Sequence, residues 1–134
     1  MFDTLDISAS ALLAQRTRMD TIAGNMANMN TTRDARNQLN PYRRRFTVFA
    51  SGQPGDASKP GVHVQSVESD SRAFRKVHDP GNPDAGPDGY VSYPNIDMTT
   101  EMVNAMEASR AYEANVTAME VTKAMISSDL RLLA

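Results

Sequence analysis

All seven prolines of this chain lie between Pro41 and Pro94, and six of its seven glycines lie between Gly52 and Gly89. Residues 1–40 and 95–134 hold one glycine, Gly24, and no proline. Proline in a helix interior costs about 3 kcal/mol, so its exclusion from both ends marks them as helical territory. The chain predicts a helix over 1–32, an irregular middle over 33–94 and a second helix over 95–134. The expected fold is mainly α with a small β insertion. Its terminal helices lie against each other as an antiparallel coiled-coil-like hairpin.

The first helix is expected from about Thr4 to Met29, with Asp3 or Thr4 capping its free N–H groups. Leu5, Leu12, Met19 and Met26 recur every seven residues, and Ile22 fills in beside them. The second pattern is longer. Met98, Ala105, Tyr112, Met119, Ile126 and Leu133 fall on one seven-residue repeat, which Met102, Val116 and Leu130 widen. A repeat of seven held over five intervals is a coiled-coil pattern. Glu101, Glu107, Arg110, Glu113, Glu120 and Asp129 are expected on the polar faces, and Asp97 at the N-cap.

The middle alternates β-prone runs with turn chemistry. Tyr42–Phe49, Val62–Val67, Ala73–His78 and Tyr90–Tyr93 are the strand candidates. Ser51–Asp56 and Asp79–Gly89 are turn or mobile-loop segments, and the sequence leaves the order of 79–89 open.

Only 24 of the 134 residues are Leu, Ile, Val or Phe, while 17 are Ala and 9 Met. That supply of strong hydrophobes is below a fifth, yet the net charge is only −2, so disorder is not indicated either. A lone helical hairpin with so thin a seam is weak. Ala and Met on its outer faces permit close, adaptable packing, which predicts lateral self-association or co-assembly. The absence of cysteine excludes a disulfide framework and thiolate chemistry. No apolar run approaches the roughly 20 residues that span a bilayer, and the N-terminal residues do not form a cleavable secretory signal. The charge balance drives the chain toward neither nucleic acid nor membrane.

Other residues carry bland explanations. Arg33, Arg36, Arg43, Arg44 and Arg45 form a basic cluster, and Asp79, Asp84, Asp88, Asp97 and Glu101 an acidic one. Pairing of the two between neighbouring subunits is the specific expectation they raise. His63 and His78 lack ligand spacing, Ser8 and Ser10 lack a partner that would make a nucleophile, and the 79–88 aspartates do not match a calcium loop. No catalytic, cofactor-binding or metal-binding constellation is expected.

Two stretches carry a family likeness. Asp6-Ile7-Ser8-Ala9-Ser10-Ala11-Leu12, continuing to Asn25-Met26-Ala27-Asn28-Met29-Asn30, resembles the N-terminal signature of the flagellar rod and hook axial proteins. Tyr93-Pro94-Asn95-Ile96-Asp97-Met98, continuing through Met106-Glu107-Ala108-Ser109-Arg110-Ala111-Tyr112, is similar to their C-terminal signature. The likeness implies a non-enzymatic structural subunit of the proximal rod, in a drive shaft around the export channel of the basal body. It implies export by the flagellar type III apparatus without a cleaved signal, to a periplasmic rod. The implied partners are other rod proteins, copies of itself and the MS-ring and export-gate junction, with no cofactor. Both heptad series would serve as assembly interface, and Asn25, Asn28 and Asn30 would end the first helix and bond between neighbours. The competing function is a cytosolic coiled-coil export chaperone or adaptor.

Overall fold

A computed structural model describes residues 2–55 and 59–133. Two long helices bracket two small β ribbons. α1 spans Phe2–Ala27, β1 Arg45–Ser51, β2 Val62–Ser69, β3 Arg75–His78, β4 Tyr90–Tyr93 and α2 Met98–Leu133. The mainly helical architecture with a β insertion is the one the proline distribution predicts. The first helix starts earlier than expected, so Asp3 and Thr4 lie inside its first turn and do not cap it. Asp97 does cap α2: its Oδ2 accepts from the Thr100 N–H at 2.9 Å and from the Thr100 hydroxyl at 2.6 Å.

β1 and β2 pair antiparallel from Arg45↔Ser69 to Ser51↔Val62, with the register slipping between Val48 and Phe49. Gln65 is the extra residue at that bulge. β3 and β4 form a separate antiparallel ribbon, Arg75↔Tyr93 to His78↔Tyr90. All four strand positions match β-prone runs in the sequence. Residues 31–42 form a further closed excursion, with Tyr42 N–H donating to the Thr31 carbonyl and an Arg33↔Leu39 bridge. At its tip Asp34 Oδ1 accepts from the Arg36 and Gln38 N–H groups, and Asn37 takes φ 59°.

α1 is the middle layer. It packs against α2 and against β1 and β2. The β2 approach is close: Val62 N–H donates to Ser10 Oγ at 3.1 Å, and a Cβ on Gly61 would sit 2.9 Å from that oxygen. Gly61 also has φ +144°, a conformation that L side chains rarely adopt. Ser10 is thus a small packing and bonding residue.

The helices run antiparallel, since Asn25 meets Glu101 at 3.1 Å and Arg18 meets Glu107 at 3.0 Å. Extending that register at equal rise puts Phe2 level with about residue 123 of α2. The last ten or so residues of α2, roughly 15 Å of helix, project past the start of α1. Leu130 and Leu132 there are 63% and 82% exposed. The buried apolar core of the described residues is small: Ala14, Ile22, Val91, Ile96 and Ala108.

Candidate assembly interface

The shielded face of α2 alternates steps of four and three residues. Glu101, Ala105, Ala108, Tyr112, Asn115, Met119, Thr122 and Ile126 make up this row of buried or half-buried positions, with Asn104, Ser109, Ala111 and Val116 half-buried beside it. Four of the row belong to the predicted heptad series. The other four are Glu101, Ala108, Asn115 and Thr122, and an apolar pattern cannot reveal them. The partner flank of the seam is therefore polar or small. Facing it, α1 contributes its buried Ile22 and Asn25.

The two predicted series divide accordingly. Leu5, Leu12, Met19, Met26, Ala105, Tyr112, Val116, Met119 and Ile126 are half-buried, and Ile22 is buried. Met98, Met102 and Leu130 are exposed, outside the hairpin rather than within it. The side chain of Leu133 lies outside the described part, as does Asp56 of the first turn segment.

Glu101 is the largest departure from expectation. It is not on a polar face but fully buried, at 0% exposure, as is Asn25. Its Oε1 accepts from Arg44 Nε at 2.7 Å and its Oε2 from Asn25 Nδ2 at 3.1 Å. Asn25 Nδ2 also donates to the Arg45 carbonyl at 2.8 Å, while its Oδ1 accepts from the Arg45 N–H at 2.8 Å. One buried amide thus binds the start of β1 as another strand would, and one buried carboxylate joins α2 to both. A charge in such a place is tolerated because it is paired and bonded on both oxygens. Asn25, for which the resemblance implies a bond to a neighbouring subunit, makes these side-chain hydrogen bonds inside its own chain. Asn28 bonds back to the Gly24 carbonyl at 2.9 Å and accepts from Thr31, and Asn30 is exposed. None of the three takes a left-handed backbone; among the described non-glycine residues only Asn37 does.

A second clamp organises residues 79–89, whose order the sequence leaves open. Asp79 N–H donates to the Gly89 carbonyl and Gly86 N–H to the Tyr90 carbonyl, closing the loop between β3 and β4. Asp84 accepts from the Thr32 hydroxyl at 2.5 Å and from Arg33 Nε at 2.7 Å, and those bonds hold its carboxyl below the usual carboxylate range. The basic and acidic clusters thus pair within the chain at Arg33–Asp84 and Arg44–Glu101. A third pair, Arg72 with Asp70, pulls the Asp70 carboxyl down to about 2, chiefly through the Arg72 side-chain hydrogen bond. His63 Nδ1 sits 2.9 Å from the Gly52 carbonyl, and His78 packs edge-on against Tyr90. No group of three or more metal-ligating side chains occurs among the described residues.

A polar seam, a small core and an overhanging helix are the features of a part rather than of a free-standing molecule. Comparison with known proteins agrees. A family model described as flagella basal body rod protein matches residues 5–33, and one described as flagellar basal body rod FlgEFG protein C-terminal matches residues 88–132. These are the two helical regions with their flanks. The flagellar basal-body rod protein FlgC of Bacillus subtilis is 42% identical, over 98% of this chain and 97% of that protein. Those of Yersinia enterocolitica and Salmonella typhimurium are 41% and 40% identical over the same shares. With identity at this level along nearly the whole length of both chains, this protein belongs to the FlgC family of flagellar basal-body rod proteins.

Proposed function

We propose that this chain, a structural rod subunit and not an enzyme, polymerises with other rod subunits through its terminal helices to build the wall of a drive shaft around the export channel. The observation that carries this reading is the unsatisfied outer surface of α2. Met98, Met102, Val103, Met106, Val121, Met125, Leu130 and Leu132 are all exposed on a helix whose inner face is already taken by α1. Methionine-rich, alanine-rich helix faces adapt to several neighbours, as a subunit inside a tube must. In this reading Met98, Met102 and Leu130 meet neighbouring subunits directly. Leu12, Met19, Ala105, Tyr112, Met119 and Ile126 hold the hairpin that presents them. Residues 1–32 and 95–134 form the inner wall, and residues 33–94 a lobe carried on α1. The base of such a shaft would contact the MS-ring and export-gate junction. Export through the flagellar type III apparatus would deliver the subunit to a periplasmic rod. A stable coiled-coil adaptor would not leave so much apolar helix uncovered.

The test replaces exposed residues, which leaves the subunit fold intact. Met102→Asp and Leu130→Asp variants, expressed in a FlgC-deficient strain, are expected to abolish swimming in soft agar and to yield basal bodies without complete rods, because each would bury an unpaired charge on assembly. The helical circular dichroism of the purified variants should match that of the parent. Normal swimming by both variants would refute the assignment of this face.

A further inference from the structure

Three arginines of the middle segment, Arg43, Arg45 and Arg75, lie by aromatic rings and have no carboxylate partner among the described residues. The Arg43 guanidinium sits 4.4 Å over Phe74 and donates to the carbonyls of Asp70 and Arg72 at 3.2 and 3.3 Å. Arg45 lies 5.6 Å over Tyr42 and Arg75 5.8 Å over Tyr93. All three are exposed, whereas Arg33, Arg44 and Arg72 are engaged by Asp84, Glu101 and Asp70. A guanidinium held by a ring face spends none of its charge on a carboxylate, and its planar fork of donors is suited to receive one. Residues 31–45 alone carry five arginines against one aspartate, in a chain whose net charge is −2. The balancing acids therefore lie elsewhere on the molecule.

Two of them stand one heptad apart on α2. Glu113 and Glu120 are exposed; among the described residues the Glu113 carboxylate accepts only from the Ser109 hydroxyl at 3.5 Å, and the Glu120 carboxylate has no ion-pair or hydrogen-bond partner. They cannot serve their own arginines. Glu113 lies about 18 Å along α2 from Glu101, where the helix meets Arg44, the chain neighbour of Arg43 and Arg45. Opposite charges on separate surfaces of one molecule pair head to tail between molecules, and such a contact propagates instead of closing on itself. We propose that the stacked arginines Arg43, Arg45 and Arg75 dock on the Glu113–Glu120 face of α2 in a second copy of this chain. This rests on the assembly reading above and names one of its contacts.

The experiment uses charge reversal with reciprocal rescue. In a FlgC-deficient strain, Arg43→Glu with Arg45→Glu, and separately Glu113→Arg with Glu120→Arg, should each lower the number of complete rods per cell at least tenfold. The four substitutions in one chain should restore it to within about twofold. Unchanged rod number in either reversal overturns the proposal. So does failure of the four-fold variant to restore, the result expected if the arginines instead engage another acidic protein or lipid phosphate. A second measurement does not depend on reversed charges. The chain has no cysteine, so a Lys76→Cys, Thr117→Cys variant in assembled basal bodies should give a ladder of multimers with a short bis-maleimide. The absence of a ladder from intact rods also overturns the contact. Should the parent chain itself fail to restore swimming to the deficient strain, the assembly reading fails, a result distinct from all of these.

Discussion

Truncating Glu101 to alanine tests whether the buried junction of α1, β1 and α2 holds the subunit together. The substitution removes the acceptor for Arg44 Nε at 2.7 Å and one of the two acceptors of Asn25 Nδ2. Asn25 keeps both bonds to the Arg45 backbone, so its share of the loss is small. Arg44 is the greater problem: its side chain is 19% exposed and would be left mostly buried without a counter-charge. Removing one member of a buried pair costs about 3–5 kcal/mol, and the partial access of water to Arg44 puts the expected loss near the lower end, about 3 kcal/mol. That is roughly a hundredfold in the folding equilibrium. The control is Glu107→Ala, which breaks an ion pair of similar length whose carboxylate is 66% exposed, and which should cost less than about 1 kcal/mol. Both are measured by helical circular dichroism along a series from trimethylamine N-oxide to urea, an axis that brings even a weakly stable chain through its transition. The Arg44→Ala, Glu101→Ala double variant should lose less than the sum of the single losses, since each single change strands the other group. If the costs of Glu101→Ala and Glu107→Ala agree to within about 0.5 kcal/mol, the junction is not what stabilises the fold.

Two further outcomes are expected. Asp70, Asp84 and Asp97 all have folded-state carboxyls held below the ordinary aspartate value of 3.8, through hydrogen bonds from Arg72, Thr32 and Thr100 respectively. Depressed carboxyls lend stability that is complete above the unfolded value and lost as pH falls through the folded one, so unfolding midpoints should drop as acid is added below about pH 4. Carbon-detected NMR should show Asp70 titrating at about 2; a midpoint near 3.8 would remove the Arg72 bond from the account. Gly61→Ala should destabilise the β1–β2 ribbon by about 1–2 kcal/mol, since the new Cβ meets Ser10 Oγ at 2.9 Å and the backbone holds φ +144°. Faster amide exchange at Val62 and Val64 would register it, and unchanged exchange would mean that Ser10 yields without cost.

Much of this fold is legible in the residues because its determinants are local. Proline is forbidden in helix interiors, so its confinement to 41–94 delimits both helices, and β-branched alternation marks Val62–Val67 and Tyr90–Tyr93. What escaped the pattern depends on contacts between distant residues. Half of the α2 seam is Glu101, Ala108, Asn115 and Thr122, none of which scores as strongly apolar, so the repeat of seven revealed one flank and hid the other. Glu101 looks like surface until Arg44, 57 residues away, is known to meet it. The loop at 79–89 looks mobile from its prolines and glycines. Its order depends on Asp84 reaching Thr32 and Arg33, more than fifty residues earlier. The charge clusters are complementary in sequence, but spacing alone does not say whether partners belong to one chain or two.

The unequal length of the two helices has a mechanical consequence. If every element ended at one level, stacked subunits would meet at a flat plane, and twist applied to the shaft would concentrate its shear there. In the proposed shaft, a second helix that runs about 15 Å beyond the first would carry the joint of one layer into the body of the next, as staggered courses do in masonry. Torque would then pass along continuous backbone across each boundary instead of through side-chain contacts alone.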